Sequence, residues 1–460
     1  MCGPAIFAPS NHLSMCVADP VSGRFVGDPC TKGMATGCQA VHSAVGYRSS
    51  TGDALGKGRA TGPRKGLVVA GLGLTQILAF GSSLYLPAVL SRPIADSTGW
   101  ALPWVVGGLS LGLLTAGLVS PTIGRTIDRR GGRMVLSFSS VFFAIGLAGL
   151  GLAPSLSAYL AAWVAIGAGM GAGLYDAAFS TLGHLYGRDA RSAITKLTLW
   201  GGFASTVCWP LSAYLVETIG WRGACGVYAA LHLVVALPIH LFVVPAFAAK
   251  TPGNDREQGP VAEATRPLLG LRDNVPAIVL LAGVITLSGV IASVVSVHLL
   301  DLLQAHGLDL AAAVALGALI GPSQVAARFG EMAFGKRYHP LWTMIASTVL
   351  MAAGLLLLMS PGYAIAAVAL ATYGGGNGIG SIAKGTVPLA LFGPAQYATL
   401  MGGIARPSLI AQAVAPSLAA VLVGVDGVSA LLPVLAGLAL ANVCLVGLLA
   451  ARTMRRTPQH

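Results

Sequence analysis

Residues 124–133 read GRTIDRRGGR, a short charged turn between two long apolar runs at 101–121 and 134–154. Gly124 and Asp128 are four residues apart, so they share one face of a helix end. The absent side chain at Gly124 allows a second helix to approach closely. Asp128 is then placed to accept hydrogen bonds from that helix's amino-terminal N–H groups, where the helix dipole favours an anion. The stretch therefore predicts a turn that packs against the start of another helix.

The basic side chains of this turn are suited to hold carboxylates or lipid phosphates. Arg129, Arg130 and Arg133 lie within five residues of one another. The alternative is that they form a merely basic turn without a specific role. The register of Gly, Asp and Gly in the same stretch favours the specific interpretation.

The composition on either side of the turn is that of a membrane protein. The 460 residues are 55% hydrophobic and 10% charged, whereas a soluble domain carries about 25% charge. A spanning helix needs about 20 apolar residues, and twelve runs of that size occur. They lie near 67–90, 101–121, 134–154, 157–182, 194–216, 224–248, 275–300, 310–330, 340–360, 363–386, 398–423 and 429–451. We therefore expect an all-α integral membrane protein with twelve transmembrane helices.

The twelve runs divide into two six-helix bundles, and polar stretches flank them. The predicted segments are a disordered cytosolic extension (1–64), a first bundle (65–248), a cytoplasmic linker loop (249–273), a second bundle (274–452) and a cytosolic tail (453–460). The extension has no apolar core after a charged start, so it does not resemble a secretory signal. Met34 is an internal candidate initiator, and we assign the extension no function.

Basic residues fall mostly in alternate connections between the runs. With the amino terminus inside, the outer connections hold only Arg92 and Arg222, and the other basic clusters all fall inside. This asymmetry predicts a multi-pass protein of the inner (plasma) membrane with both termini cytoplasmic. The formal charge of +12 therefore indicates membrane topology and no nucleic-acid partner.

The two halves resemble each other at an offset of about 207 residues. Glycines recur at the same spacing in the fourth and tenth runs, the pair Arg129–Arg130 falls on Lys336–Arg337, and Pro210 has a near counterpart in Pro416. The glycines are Gly167, Gly169, Gly171 and Gly173, and then Gly374, Gly376, Gly378 and Gly380. Two related halves suit alternating access around a site at their interface.

The turn and the six-plus-six pattern together resemble the major facilitator superfamily over residues 67–452. Gly124, Asp128, Arg129, Gly131 and Arg133 match its signature between the second and third helices. Gly132 replaces a basic residue of that signature, and the second-half copy at 331–337 keeps the basic pair but not the acid. The resemblance implies a membrane transporter with no enzymatic activity.

Finer branches of the superfamily are less clearly marked. The fifth run contains Trp209–Pro210 without the glycine that drug–proton antiporters place before this proline. The pairs Gly99–Trp100 and Gly220–Trp221 resemble the monocarboxylate and oxalate–formate branch.

Three charged residues in the runs are candidates for the gate or for substrate binding, because charge in hydrocarbon is costly. Asp176, Lys384 and Arg406 lie at similar predicted depth in the fourth, tenth and eleventh runs. In the superfamily these helices meet at the inner gate, so Asp176 is expected to pair with Arg406 or Lys384. A static ion pair and a lysine that extends to the interface are the alternatives.

The eighth run adds Gln324 and Arg328, which are four residues apart on one face. Arg328 is suited to attract an anionic substrate, or else it pairs locally with Glu331. Intramembrane amides that can bind substrate or another helix are Gln76, Asn377 and Gln412. We expect His232, His240 and His298 to pack rather than carry protons.

The sequence implies no cofactor and no metal site, and it lacks the phosphate-binding loop of nucleotide hydrolases. Expected partners are the lipid bilayer, a small-molecule substrate and a coupling proton or other ion. The first hypothesis is a secondary transporter of a small organic or inorganic anion. The alternatives are an efflux pump for neutral or cationic hydrophobic compounds, with Asp176 at its site, and a non-transporting membrane sensor.

Overall fold

The computed structural model describes residues 65–246 and 274–454, and these two ranges contain helices and turns but no strand. The predicted extension at 1–64, the linker loop at 249–273 and the last residues of the tail lie outside the described residues. The final helix runs to Met454, two residues beyond the predicted end of the second bundle at 452.

Six helices form the first half of the described chain. They are α1 (Lys65–Gly81 and Leu86–Thr98), α2 (Leu102–Arg130), α3 (Gly132–Leu152), α4 (Leu156–Gly173 and Tyr175–Tyr186), α5 (Ala190–Gly202 and the part of Ala204–Leu231 before Gly220) and α6 (the rest of that segment with the π-helical turns His232–Ala236 and Ile239–Val243).

Six further helices form the second half, in agreement with the predicted twelve-helix fold. They are α7 (Val275–Ala305), α8 (Leu310–Gly317 and Ile320–Phe334), α9 (Pro340–Leu358), α10 (Tyr363–Phe392), α11 (Tyr397–Asp426) and α12 (Leu431–Met454). We call the end of the molecule with the 124–133 turn, Lys65 and Arg191 the basic end.

Helices α5 and α6 are joined by a single residue rather than a loop. By length and hydropathy alone the described chain has ten candidate spans, one of which is a 54-residue segment from Ala190 to Val243. Such a segment is about 81 Å long at 1.5 Å per residue, against a hydrocarbon core of about 30 Å. Gly220, with φ 73° and ψ 167°, turns the chain so that this segment crosses twice. The ten candidate spans therefore give eleven crossings, and the glycine-rich α10 is the twelfth.

The turn at Gly220 is held by the two residues that follow it. The Trp221 indole donates to the Ser97 hydroxyl at 2.8 Å, and Arg222 donates to the Gly151 carbonyl at the end of α3 at 2.9 Å. The Arg222 guanidinium also lies over the Trp221 ring. The turn is thereby fixed to both α1 and α3.

The glycine repeat explains how each half packs. On α4, Gly167 and Gly171 lie against α2, whereas Gly169 and Gly173 lie against α3. Residues four apart share a helix face and residues two apart do not, so alternate glycines serve two neighbours. Their counterparts on α10 behave alike: Gly374 and Gly378 contact α8, and Gly376 and Gly380 contact α9. The predicted internal repeat is thus a repeat of close helix contacts.

The two halves share a hydrophobic core at the basic end. Leu182 and Ile194 of the first half belong to one buried cluster with Leu389, Tyr397 and Met401 of the second. Two other buried clusters lie farther from this end, one of first-half residues with Ala413 of α11 and one of second-half residues. The contacts therefore close the molecule at the basic end.

Candidate functional site

The 124–133 turn lies against the amino terminus of α11. Asp128 accepts hydrogen bonds from the backbone N–H groups of Ala398, at 3.3 Å, and Thr399, at 2.7 Å. A Cβ at Gly124 would overlap the Ala398 carbonyl oxygen, so the contact requires glycine. An anion at this position also interacts favourably with the helix dipole. The contact joins α2 of the first half to α11 of the second.

The remaining positions of the turn shape its exit into α3. Gly131 has φ 78°, a conformation that side chains other than glycine rarely adopt. A side chain at Gly132, the position that departs from the superfamily signature, would overlap Thr181 on α4. Arg129 is exposed and Arg133 half-buried, and neither forms an ion pair with another described residue.

We predict that Gly124→Leu prevents closure of the basic end, because the new side chain would occupy the space of the Ala398 carbonyl. A cysteine introduced at Ser192, between the halves at this end, should then react faster with a maleimide than it does in the parent. Gly403→Leu on α11 is the matched control, since nothing lies within 4 Å of a Cβ there. Equal labelling rates in both variants would contradict the prediction.

A second contact at the basic end uses the symmetry-related positions with reversed chemistry. Adding the offset of 207 to Asp128 gives Gly335, and subtracting it from Ala398 gives Arg191. Arg191, in the first turn of α5, donates to the carbonyls of Gly335 and Tyr338 in the α8–α9 turn. A cation thus reaches a backbone carbonyl here, whereas a carboxylate receives backbone N–H groups at Asp128. The second copy of the turn lacks the acid, and there the contact between the halves is made by Arg191.

Asp176 pairs with Lys384 across the two halves. The Lys384 nitrogen lies 2.8 Å from Oδ1 and 3.0 Å from Oδ2 of Asp176. Only the contact to Oδ2 has hydrogen-bond geometry, so the shorter one is purely ionic. Their side chains are 15% and 23% exposed. The two residues are 208 positions apart, one from the repeat offset, so nearly equivalent positions on α4 and α10 meet.

Arg406 lies apart from this pair. It is exposed, next to the exposed Pro407 and three residues from the exposed Gly403 on α11. Within the described ranges no carboxylate forms an ion pair with it. Of the two cations that the sequence offered to Asp176, the structure therefore places Lys384 beside it and leaves Arg406 exposed on α11 without an ion pair to a described carboxylate.

Arg328 is the most buried charged side chain of the candidate site, with only 6% exposed. It donates to the carbonyl oxygens of Thr198 on α5, at 3.0 Å, and Gly378 on α10, at 3.2 Å. Its third contact is the Gln324 side-chain oxygen, at 3.4 Å. These acceptors are dipoles rather than anions, and no ion pair joins Arg328 to a described carboxylate.

Glu331 does not neutralise Arg328, although it lies three residues farther along α8. Its carboxylate accepts a hydrogen bond from Thr343 at 2.8 Å and lies 4.0 Å from Arg191. The local pairing considered from the sequence is therefore absent, and the positive charge of Arg328 remains uncompensated.

The three intramembrane amides have different surroundings. Gln76 donates to the Gly173 carbonyl at the break in α4, at 2.6 Å, and its buried side-chain oxygen has no partner in the described chain. Gln412 bonds to Ser408 on its own helix and packs against Gly289 of α7. Asn377 is half-buried, and it lies seven residues before Lys384, on the same face of α10.

The sequence interpretation missed a group of aromatic rings close to Arg328. The Tyr175 hydroxyl donates at 3.2 Å to the Thr198 carbonyl that also accepts from Arg328. The Phe80 ring lies 4.7 Å from the Tyr175 ring, and Tyr85 lies 5.8 Å from Trp209. The position of Tyr175, directly before the intramembrane Asp176, was the available signal.

The two α6 histidines form a polar network inside the first half. His240 contacts the hydroxyls of Ser140 and Thr75, and His232 contacts Ser82. Each histidine belongs to a π-helical turn of α6. His298 contacts the Pro416 carbonyl and Asp301. In the described ranges no three His, Cys, Asp or Glu side chains are grouped as a metal site.

Two cavities lie away from these residues. One of about 240 Å³ lies at the basic end between Lys65, Arg191 and Glu331, and one of about 310 Å³ lies beside Ile278 and Gln396. Neither of these two cavities is lined by Arg328 or Asp176.

Two repeated six-helix halves, closed against each other at one end and with charged residues between them, define a membrane transporter. A sequence profile of the Major Facilitator Superfamily matches residues 71–402. The chain therefore belongs to this superfamily. No curated protein is similar enough in sequence to be matched with it.

Solved structures of the superfamily share the fold at low sequence identity. The human organic anion transporter MFSD10 (TETRAN) is 19% identical, with a TM-score of 0.65 over 84% of this chain and 100% of that one. FucP in the outward conformation is 12% identical, with a TM-score of 0.64 over 85% and 99%. The proton:xylose symporter XylE is 12% identical, with a TM-score of 0.64 over 85% and 95%.

Proposed function

We propose that this transporter moves a small organic anion by alternating access, with energy from an ion gradient. The observation that carries the proposal is Arg328, which is buried beside the interface of the halves without an anionic partner. A buried charge is costly unless it is paired. A substrate carboxylate would supply the missing partner, and the same fold in an organic anion transporter is consistent with this role.

We propose that the substrate reaches Arg328 in this conformation from the end opposite the basic end. The shared core and the contacts of Asp128 and Arg191 close the basic end. We propose that these two contacts and the Asp176–Lys384 pair form the gate at that end. Each must break when the site opens there, so together they set the balance between the two conformations.

The two alternatives have weaker support. An efflux pump for neutral or cationic compounds would use Asp176 as its anionic site, but Lys384 already lies 2.8 Å from that carboxylate. A non-transporting sensor on the same fold would have no need for an uncompensated Arg328. The monocarboxylate and oxalate–formate branch stays a proposal that rests on Gly99–Trp100, Gly220–Trp221 and the cationic site.

The test is uptake by the full chain in proteoliposomes. We expect accumulation of a small organic carboxylate, and competition by other carboxylates but not by their uncharged amides. An imposed proton gradient should drive accumulation above the external concentration, and its collapse should leave exchange of internal and external substrate. Transport of a cation or a sugar without any carboxylate would contradict the proposed function.

For the topology, we propose that both termini and the basic end are cytoplasmic and that the membrane is the inner (plasma) membrane. In a background without native cysteines, a cysteine at Gln304, near the end of α7, should react with an impermeant maleimide added to intact cells. A cysteine at Gln258 should not react until the cells are permeabilised. The reverse pattern would overturn the topology.

A further inference from the structure

Four aromatic side chains from three helices form a continuous series of ring contacts that begins beside Arg328. Phe80 and Tyr85 come from α1 and its internal turn, Tyr175 from α4 and Trp209 from α5, and we call them the aromatic cradle. The ring centroids of Phe80 and Tyr175 are 4.7 Å apart, those of Tyr85 and Trp209 are 5.8 Å apart, and those of Phe80 and Tyr85 are 6.3 Å apart. These separations fall within the range of favourable ring contacts, about 4.5–7 Å.

The cradle is close to the charge of Arg328. Tyr175 shares the Thr198 carbonyl with the guanidinium, and Tyr85 is also within electrostatic range of it. The Tyr85 hydroxyl forms no hydrogen bond with any other described residue. A ligand at Arg328 would therefore meet a free hydroxyl donor as well as the guanidinium.

The cradle rings are not ordinary core residues. Phe179 stacks on Tyr175, with the ring centroids 4.9 Å apart, and is completely buried. It packs against Gly385 and Ile194 on the side of the cradle that faces the basic end. In contrast, Phe80, Tyr85 and Tyr175 are only half-buried and Trp209 is 47% exposed. Partly exposed rings beside a buried cation make a site with one charged and one aromatic side.

We propose that the substrate is an aryl carboxylate, with its carboxylate on Arg328 and the Tyr85 hydroxyl and its ring in the aromatic cradle. The inference rests on the proposed function and specifies its substrate class. An inorganic anion would satisfy Arg328 but leave the rings in contact with water. A sugar would present several hydroxyls to a surface that offers mainly rings, where they would lack hydrogen-bond partners.

The experiment measures equilibrium binding of radiolabelled benzoate to the purified full chain at neutral pH, with three competitors. Cyclohexanecarboxylate keeps the charge and the size without an aromatic ring, acetate keeps only the charge, and benzamide keeps only the ring. We expect benzoate to bind about tenfold more tightly than cyclohexanecarboxylate, since ring contacts add to the effect of buried area. Acetate should bind about a hundredfold more weakly, and benzamide should not compete.

Two variants connect the preference to the cradle. Phe80→Leu and Tyr175→Leu should each reduce the preference for benzoate over cyclohexanecarboxylate to about twofold. Phe142→Leu is the matched control, because this ring lies exposed on α3 and away from the cradle; it should keep the tenfold preference. Tyr175→Phe keeps the ring and should also keep the preference, which tests the ring even if Tyr175→Leu fails to fold.

The outcomes separate the inference from the proposed function. Equal binding of benzoate and cyclohexanecarboxylate would overturn the aryl assignment and leave an anion transporter. Binding of acetate as tightly as benzoate would have the same meaning. A ring preference that survives both leucine variants would overturn the aromatic cradle as the site of the ring. Competition by benzamide or a sugar, without binding of any carboxylate, would overturn both.

Discussion

Replacement of Arg328 by glutamine is expected to abolish transport of the anionic substrate and to raise its Kd by about a hundredfold. A hydrogen bond to a charged group contributes about 1.5–3 kcal/mol, and each 1.4 kcal/mol is a factor of about ten in Kd. Arg328→Lys should fall between parent and glutamine variant, because an ammonium keeps the charge but cannot reproduce the planar guanidinium contacts. Equilibrium binding to the purified chain measures the effect directly.

The matched control for this prediction is Arg92→Gln. Arg92 is exposed at the end opposite the basic end, so its loss removes one positive charge without touching the site. Binding should change by less than about twofold, because exposed charges are screened by salt. Unchanged binding in a folded Arg328→Gln protein would remove the observation on which the anion proposal rests.

The second large effect is expected at Asp176 and Lys384. Asp176→Asn or Lys384→Gln leaves one charge unpaired in a site where both side chains are mostly buried. The cost lies between about 1 kcal/mol for an exposed pair and about 3–5 kcal/mol for a fully buried one. A shift of about 2 kcal/mol changes a balanced equilibrium about thirtyfold. Each single variant should therefore favour the state open at the basic end and transport slowly.

The double exchange Asp176→Lys with Lys384→Asp should restore part of the transport rate. Because Arg406 is exposed on α11 and apart from Asp176, Arg406→Gln should transport much more like the parent than either single variant does. Measuring exchange as well as gradient-driven accumulation distinguishes a gate from a proton carrier. A different outcome would assign Asp176 to ion coupling instead of gating. In that case Asp176→Asn would lose accumulation but keep exchange, and Lys384→Gln would transport normally.

The helices and the repeat were predictable because hydropathy and glycine spacing are local properties of the sequence. All twelve runs correspond to helices, and the matching glycine sets of α4 and α10 make matching contacts. The placement of Asp128 also followed from local information, since its spacing from Gly124 fixes their common helix face. The breaks inside α1, α4 and α5 were not predicted, because tertiary contacts such as that of Gln76 with the Gly173 carbonyl satisfy the exposed backbone.

The partner of Asp176 could not be chosen by depth alone. Lys384 and Arg406 lie at similar predicted depth, and the helix face that each occupies decides which one meets the carboxylate. The offset of the repeat contained the missing signal, because Lys384 is one residue from the position equivalent to Asp176. Arg191 could have been found in the same way, as the counterpart of Ala398. The repeat gave no signal for the aromatic cradle, because its rings come from three helices without regular spacing, and only the position of Tyr175 beside Asp176 pointed to it.

The turn at Gly220 bears on how the chain is inserted during its synthesis. No loop separates α5 from α6, so no hydrophilic segment between these two helices has to cross the bilayer. The cation nearest to the turn is Arg222. The two helices are therefore expected to leave the insertion machinery together, as one helical hairpin. The bond from Arg222 to the end of α3 can form only once α3 is in the bilayer, so we expect the hairpin to pack against α3 after α3 has been inserted.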